Sequence, residues 1–513
     1  MNSSFSVIRK SYAWLFLAFV AILPVSETIA LRNLLLFLCV VSLLAALGWH
    51  RDQLAVPVKA ALALVPGAWY VWFVFLMVFP LYAHESGVAW ANLTGQWGES
   101  LLAWIVGFGV VALLGRRGPS LLVLACACAF PLVLHMLLVM VAWVGGFGDA
   151  WTLFGDPPLP DMIAALRKAL APGGWPGIQP FPWGFRGVEP MHGNLGYTAC
   201  VAIALFTAHG YQLTRQKSYR GLGFVGLGLF ISFLSVVVAN SRGAQMFGVL
   251  VLVGALALIA WVVRRDRRAA HGAPGGGLKS AHIAVAAAVL AVVVLLLSVA
   301  AAKSFESDPR WGWMFDRVRV GFMPEDPAEV LCEGVSPELK DRIAQRFASR
   351  GAEYVHQMIY GLEIQDGGRI MLMRAGSRMV LEHPLGLDGS RTSYQKLMTE
   401  RCGHPPVLHF SHAHDGWIDT ALALGVPGIL ILLALFLQLM RIGFRNLDHS
   451  GARPWAISLV LVAGFWALRG FTDSVYREHF IEMQAAVLAY LVMRTGFEAG
   501  APKADDYPEN SPA

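Results

Sequence analysis

Two histidines and an aspartate form the titratable cluster with the clearest chemical potential in this sequence. They are His412, His414 and Asp415; nine residues then separate Asp415 from Gly425, and Gly428 completes a G-x-x-G pattern. The unperturbed pKa of imidazole lies close to neutral pH, so a histidine can take a proton from a reacting hydroxyl group and later return it. The residues after Asp415 are mostly apolar, which predicts that the cluster lies at the mouth of a hydrophobic helix.

The composition indicates the class of protein that positions this cluster. The chain has 513 residues, of which 56% are hydrophobic and 14% charged, and its mean hydropathy is +0.56. Soluble domains carry about 25% charged residues. We therefore predict an all-α polytopic membrane protein, because an open strand edge would leave backbone groups unpaired in lipid. The net charge of +6 lies in short basic clusters between apolar runs, which indicates topology signals and not a nucleic-acid partner.

About twelve apolar runs are long enough to cross a hydrocarbon core of about 30 Å as helices. The predicted spans are 12–30, 34–49, 56–82, 100–115, 119–144, 193–210, 221–239, 244–263, 281–302, 416–440, 455–472 and 480–494. Thr28-Ile29-Ala30 is a passable signal-peptide cleavage site. Because a second apolar run follows at once, we expect the first run to remain as a membrane helix.

Arginine and lysine predict the orientation, since basic residues accumulate on cytoplasmic connections. On alternate connections lie Arg9/Lys10, Arg51, Arg116/Arg117, Arg215/Lys217/Arg220, Arg264/Arg265/Arg267/Arg268 and Arg441/Arg445/Arg453. Both termini are then cytoplasmic. We predict nine spans with an outward loop at about 145–192 in residues 1–302, an outward-facing helical cap at 303–415, three spans in 416–496 and a cytoplasmic tail at 497–513.

The two long outward-facing segments are predicted to be ordered. We expect helices over 161–171, from Ser336 onwards and over 369–382. Ser336 suits an N-cap, Pro337 suits the first turn, and Pro384 ends the last helix. Cys332 and Cys402 fall in the cap, where they could form a disulfide in an oxidising compartment; the sequence leaves this open.

Arginines on outward connections are the second group of candidate functional residues. Arg32, Arg242, Arg469 and Arg477 lie on short connections that should be poor in positive charge, and Arg186 and Arg369 lie on the approach to the membrane. A charge at membrane depth usually has a function or a paired partner. The forked guanidinium group is suited to binding phosphate.

Each candidate also has a structural interpretation. His414 could merely cap a helix, and Arg242 could extend to the headgroups or pair with an acid. For Arg369, pairing within the cap is somewhat favoured, with an acid at 363, 366 or 382 as its partner. Arg469 and Arg477 could pair with Asp473 and Glu478. A zinc site formed by His404, His409, His412 and His414 is disfavoured because their spacing fits no metal-binding motif.

Three segments, in this order, resemble the O-antigen ligase and polymerase superfamily. They are Asn240-Ser241-Arg242-Gly243-Ala244, residues 369–389 (RIMLMRAGSRMVLEHPLGLDG), and His414 with Gly425 and Gly428. The resemblance covers roughly the C-terminal half of the chain. The ligase signature has Asn, Ser or Gln after the histidine, whereas Asp415 stands at that position here. Aspartate keeps a polar acceptor but lacks the amide donor.

The resemblance implies a GT-C-type glycosyltransferase in the bacterial inner membrane that works without a metal or cofactor. As an O-antigen ligase, it would transfer a glycan from undecaprenyl diphosphate to the lipid A core at the periplasmic face, with inversion at the anomeric carbon. His414 would be the general base. Arg242, Arg186 and Arg369 would bind the diphosphate, with His412, Asp415, Arg469 and Arg477 as second-rank candidates.

Three alternatives stay open. Within the superfamily they are an O-antigen polymerase and a protein O-oligosaccharyltransferase. From a different class, a secondary transporter would also suit twelve helices, but such proteins are expected to contain internal repeats, and no convincing repeat is present.

Overall fold

The computed structural model describes residues 3–49, 58–145, 159–173, 181–188, 192–218, 220–270, 302, 306, 310–408, 410–476 and 478–500. Within these residues the regular secondary structure is helical, as the all-α prediction requires. The predicted ninth span, 281–302, lies outside the described residues except at its last position, and Arg477 and His409 lie outside them as well.

The N-terminal part consists of helices α1 (Ser3–Ile22), α2 (Ile29–Trp49), α3 (Gly67–Val78), α4 (Ser86–Asn92), α5 (Gly98–Leu114), α6 (Leu121–Gly145), α7 (Leu159–Leu170), α8 (His192–Gln216), α9 (Arg220–Val238) and α10 (Arg242–Ala270). The cap helices are α11 (Arg310–Gly321), α12 (Pro327–Glu333), α13 (Pro337–Arg346), α14 (Ala352–Ile364), α15 (Asp366–Glu382) and α16 (Ser393–Cys402). The described residues after the cap form α17 (Gly416–Asn446), α18 (Arg453–Arg469) and α19 (Glu478–Ala499).

Six helical segments within the described ranges are long and apolar enough to cross a membrane. They are α2, residues 86–117 including α4 and α5, α6, α9, α10 as far as Asp266, and α17. The chain is therefore a multi-pass membrane protein. Helices α8, α18 and α19 fall outside this set, and most of their residues are buried. A helix enclosed by other helices has little surface that must be apolar for lipid, which explains its lower hydropathy.

Prolines account for two differences between the predicted and observed helix boundaries. The predicted span 12–30 ends at Ile22, and Pro24 lies in the turn that leads to α2. The predicted span 56–82 is interrupted before Gly67, because Pro66 is the N-cap residue of a short α3. In both places proline disfavours helical backbone in the residue before it.

The cap has a hydrophobic cluster of its own, separate from that of the membrane helices. Ile343, Met358, Leu362, Met371 and Leu372 are fully buried there. This arrangement joins α13, α14 and α15 through their apolar faces. The cap can therefore position residues rigidly at the surface where it meets the membrane helices.

Local sequence signals in the two long segments between predicted spans are confirmed. The Ser336 hydroxyl accepts a hydrogen bond from the backbone N–H of Leu339 (3.3 Å), so Ser336 is the N-cap of α13. The helix expected over 369–382 is α15, and the amphipathic helix expected over 161–171 is α7. These elements depend on capping and periodicity within one segment, which the sequence carries directly.

The disulfide that the sequence left open is formed. It joins Cys332 at the end of α12 to Cys402 at the end of α16, across a sequence separation of 70 residues. Backbone hydrogen bonds from Val407 and Leu408 to the carbonyls of Cys332 and Leu331 strengthen the same contact. Two parts of the cap that are distant in sequence are thereby connected covalently.

Helix α17 is broken at Gly425, where the backbone has φ +80°. The freed backbone groups are paired with a turn at residues 383–389, which we call the cap turn. The N–H groups of Leu387 and Gly389 donate to the carbonyls of Leu422 and Ala423 (2.9 Å each), and the N–H after Gly425 donates to a cap-turn carbonyl (2.8 Å). Backbone of the cap thus takes the place of helical hydrogen bonds inside α17.

The other side of the cap turn is bound to the segment between α3 and α5. Trp97 Nε1 donates to the carbonyl of Gly389 (2.8 Å), and Asn92 Nδ2 donates to the carbonyl of Asp388 (3.1 Å). Consequently the cap turn is hydrogen-bonded on two sides by membrane helices.

We expect the Cys332→Ser/Cys402→Ser double variant to lose about 4 kcal/mol of unfolding free energy, because the disulfide closes a long loop in the unfolded chain. The measurement is thermal unfolding of purified protein in detergent without reductant. A Cys126→Ala variant is the control, since Cys126 is a free thiol. Equal stability of the double variant and the wild type, together with maleimide labelling of both native thiols, would contradict the bridge.

A Gly425→Ala variant should lose about 1–3 kcal/mol or more of unfolding free energy. Alanine disfavours the positive φ, and its Cβ would lie 2.5 Å from the carbonyl carbon of Leu385. Gly464→Ala is the matched control, because the nearest atom to a Cβ there is Met440 Sδ at 3.9 Å. The measurement is the melting temperature in detergent, and an unchanged value for Gly425→Ala would refute the role of this break.

Candidate active site

The segment that leaves the cap is fixed to the start of α17. Asp415 is the N-cap residue of α17 and accepts a hydrogen bond from a backbone N–H of the first turn (2.9 Å). The N–H of Gly416 donates to the carbonyls of Gly470 (2.6 Å) and Asp473 (3.0 Å). The connection between α18 and α19 is therefore held against α17, which brings Asp473 beside His414.

The capping contact explains how this chain accommodates aspartate where the ligase signature has another polar residue. An N-cap needs an acceptor, which a carboxylate supplies, and it does not need an amide donor. Only 3% of Asp415 is exposed. Burial raises the pKa of its carboxyl group, and hydrogen bonds from the first-turn N–H groups offset part of this effect. The side chain of Asp415 thus serves the helix terminus.

His414 has an uncommon backbone conformation for a residue other than glycine, with φ +53°. Its N–H donates to His412 Nδ1 (3.2 Å), and the two imidazole rings are 4.1 Å apart. His414 Nδ1 is buried and lies 3.8 Å from Asp473 Oδ1, while 21% of the His414 side chain stays exposed. His412 therefore holds the turn, and His414 directs one ring nitrogen towards an acid.

Asp473 is the most heavily bonded acid of the cluster. Its Oδ2 accepts hydrogen bonds from the Tyr197 hydroxyl and from Arg469 Nη2 (2.7 Å each). Burial by itself would raise the pKa of this carboxyl group. The His414 imidazole and the guanidinium groups of Arg469 and Arg369 outweigh burial and hold the pKa well below its usual range. Asp473 is therefore a fixed negative charge beside His414 at neutral pH.

Arg469 connects the three helices α8, α10 and α18 through its buried guanidinium group. Besides Asp473, it bonds to the Thr472 hydroxyl (2.9 Å) and lies over the rings of Tyr197 (5.3 Å) and Phe247 (5.1 Å). Only 7% of its side chain is exposed. The sequence prediction that Arg469 could pair with Asp473 is confirmed.

Asp419 adds a second buried acid, one turn after the N-cap. It accepts a hydrogen bond from the N–H of Ala413 (2.8 Å) and another from the Ser474 hydroxyl. Ser474 Oγ also lies 3.0 Å from His412 Nδ1. These contacts fix both sides of the turn that carries His414.

Arg242, the first residue of α10, pairs with Asp366, the first residue of α15 (3.4 Å). About 15% of each side chain is exposed. The pair joins the cap to the membrane helices near Arg469, since a Cβ on Gly243 would be 3.1 Å from Arg469 Nη1. Arg242 therefore pairs with an acid, as its structural interpretation in the sequence analysis proposed.

Arg369 lies one turn after Asp366 on the same helix. The pairing somewhat favoured for it within the cap is wrong, because Asp366 pairs with Arg242 and Glu382 pairs with Arg401 (2.8 Å). Arg369 is exposed, and its side chain makes no hydrogen bond or ion pair with the described residues. Its charge nevertheless acts on Asp473, so its guanidinium group is available close to the cluster.

Two further arginines, Arg186 and Arg477, were predicted as candidate site residues. Arg186 is exposed in a short loop, where the N–H of Gly184 donates to the carbonyl of Val238 at the end of α9 (2.8 Å). No contact of Arg186 with His414 or Asp473 occurs among the residues that the structure describes. The prediction for Arg477 falls outside the described residues.

Three residues of the cluster were missed by sequence reasoning as site residues: Asp473, Asp419 and Tyr197. Asp419 carried a usable signal, because an acid inside an apolar helix points to a function or a partner. Asp473 was recognised only as a partner for Arg469. Tyr197 carries no comparable signal in the sequence.

Metal binding finds no support in the described part of the chain, where no group of three or more His, Cys, Asp or Glu is close enough to hold an ion. His404 bonds to Glu333 (3.2 Å), while His412 and His414 lie together in the turn before α17. The cluster instead suits acid–base chemistry. An imidazole with one nitrogen directed at a carboxylate can use its other nitrogen as a base.

Comparison with known protein families agrees with the resemblance. A family model described as O-antigen ligase matches residues 227–433, which include the segment at 240–244, residues 369–389, His414, Gly425 and Gly428. No curated protein matches the chain significantly. This match supports membership of the O-antigen ligase superfamily for residues 227–433, and members of that superfamily transfer glycosyl groups as ligases or polymerases.

Proposed function

We propose that this protein is a GT-C-type O-antigen ligase. It transfers a glycan from undecaprenyl diphosphate to the core oligosaccharide of lipid A at the periplasmic face of the bacterial inner membrane. The family supports glycosyl transfer as the class of reaction. The observation that carries the proposal is the position of His414, whose buried Nδ1 faces Asp473 where the cap meets α17.

In this mechanism His414 is the general base. Asp473 keeps the Nδ1–H tautomer directed towards its carboxylate, which leaves Nε2 with the lone pair. Nε2 removes the proton from the acceptor hydroxyl as its oxygen attacks the anomeric carbon. The new carbon–oxygen bond forms on the face opposite the departing diphosphate, so the configuration inverts and no covalent enzyme intermediate is required.

The departing diphosphate needs positive charge close to the anomeric carbon. Arg369 is the first candidate, since its guanidinium group is exposed and its charge reaches Asp473. Arg242 can contribute if the diphosphate competes with Asp366, at present 3.4 Å away. Arg186 is the third candidate. Fixed guanidinium groups can stabilise the growing negative charge without a metal ion or cofactor.

The proposed topology has twelve transmembrane helices with both termini in the cytoplasm. The basic clusters on alternate connections support this orientation. The cap and the cluster around His414 then face the periplasm, where a polyprenyl-linked donor and lipid A core are both anchored in the same leaflet.

The function is tested by glycan transfer with purified protein, undecaprenyl-diphosphate-linked glycan and lipid A core. We expect His414→Ala to lower kcat by about 10²–10⁴, because the general base is lost. His412→Ala should cost about tenfold or less, since it removes one hydrogen bond that supports the turn. EDTA should leave wild-type transfer unchanged.

Three outcomes would oppose the proposal. Growth of the glycan on its lipid carrier without a lipid A product would indicate a polymerase. Transfer that stops with EDTA would refute the metal-independent mechanism. Full transfer by a folded His414→Ala variant would remove His414 from the chemistry.

The assignment of Arg369 predicts that Arg369→Ala lowers kcat/KM for the donor by about 10–100-fold, through loss of charge-assisted hydrogen bonds to the diphosphate. Arg369→Lys should recover part of the activity. Steady-state rates at varied donor concentration are the measurement.

The matched control is Arg346→Ala, which removes an exposed arginine from α13. It should keep wild-type rates. Equal losses in Arg346→Ala and Arg369→Ala would show that only the general charge of the cap matters and would contradict a specific diphosphate contact.

A further inference from the structure

A polar cavity of about 340 Å³ lies between the starts of α2 and α19, the α4–α5 segment, and residues 390–392, which follow the cap turn. We call it the polar cavity. Its wall includes Arg32, Gln96, Glu99, Arg391 and Glu482. None of these residues takes part in the mechanism above. Charged side chains in this part of a membrane protein are costly and usually serve binding or transport.

The polar cavity leads towards the general base. A second cavity of about 10 Å³, which is room for one water or hydroxyl group, shares Gln96 and Arg391 with it and is also lined by Asp419 and Tyr476. Asp419 is the acid that accepts a hydrogen bond from the N–H of Ala413, the residue before His414. A ligand in the polar cavity could therefore place one hydroxyl group beside Asp419, on the side of the His414 turn.

The chemistry of the wall fits a sugar. Glu482 is 4% exposed and lies against Arg32 and Glu99. Its carboxyl group forms part of the cavity wall. A sugar hydroxyl can hydrogen-bond to a wall carboxyl group and accept from Arg391 or the Gln96 amide. The wall combines two carboxyl groups with the guanidinium groups of Arg32 and Arg391, which suits an uncharged, hydroxyl-rich ligand, and the cavity volume is at the lower end of the range for small-ligand sites.

We infer that the polar cavity binds an uncharged sugar unit of the acceptor oligosaccharide and delivers the attacking hydroxyl to His414. This inference rests on the proposed function and specifies its acceptor subsite. The donor diphosphate is assigned to Arg369 and Arg242, neither of which lines the polar cavity. The two substrates would thus approach the base through different residues.

The test measures binding of deacylated lipopolysaccharide core oligosaccharide to the purified full-length protein by microscale thermophoresis. Arg391→Ala and Glu482→Gln should each raise the Kd for this oligosaccharide about tenfold or more, because the first removes hydrogen-bond donors and the second replaces a carboxyl oxygen with an amide nitrogen. Both should keep the wild-type Kd for the lipid-linked donor. Arg116→Ala, at an exposed arginine beyond α5, is the matched control and should bind both substrates as the wild type does.

The outcomes separate this inference from the proposed function, since binding of the oligosaccharide does not require transfer. Wild-type Kd values for the core oligosaccharide in both variants, or no binding by the wild type, would overturn the inference even if transfer to lipid A core occurs. Loss of donor binding in both variants would assign the polar cavity to the donor. If pyrophosphate at equal concentration displaced the core oligosaccharide, the polar cavity would be a phosphate site, and the assignment of a sugar to it would be wrong. Arg391 is exposed, so its variant remains informative if Glu482→Gln fails to fold.

Discussion

The break in α17 at Gly425 is the constraint on which the arrangement of cap and membrane helices depends. A helix that stops inside a protein leaves carbonyl and N–H groups that must be paired, and lipid offers them no partner. In this structure the partners are backbone groups of the cap turn at 383–389. The G-x-x-G pattern therefore has a physical meaning: glycine supplies the backbone conformation, and the proline at 427 cannot donate in any case. The position of the cap follows from the pairing of backbone groups.

Pairing among buried polar side chains is the second feature that determines the arrangement of the interior. Polar side chains are collected on α8, α18 and the connection after α18, which other helices shield from lipid. There Asp473 accepts hydrogen bonds from Tyr197 and Arg469, and the positive charge of Arg469 balances the negative charge of Asp473. A buried ion pair is weak evidence for stability, but removing one member leaves the other charge uncompensated. This interdependence fixes the carboxylate next to His414, and the positive φ of His414 then sets the direction of its ring.

Sequence reasoning succeeded where the information is local and fell short where it depends on contacts between distant segments. Ser336 and Pro337 specify a helix start by themselves. The apolar runs gave the membrane class, and three short segments gave the family. By contrast, the pairing of Asp366 with Arg242 depends on how α15 meets α10, which no pattern near Arg369 reveals. The approach of Asp473 to His414 likewise results from the backbone bonds of Gly416, and the disulfide required the proximity of α12 and α16. The helices α8, α18 and α19 were predicted as spans like the others, because their apolar runs do not identify the helices that surround them.

The two attachments of the cap differ in their physical nature. At the cap turn they are uncharged backbone hydrogen bonds, whereas between α15 and α10 the attachment is the Arg242–Asp366 ion pair, partly open to solvent. Dissolved ions weaken the second kind of attachment modestly, because about 15% of each side chain is exposed, and barely affect the first. A rise in ionic strength therefore weakens the contact between α15 and α10 more than the contact at the cap turn.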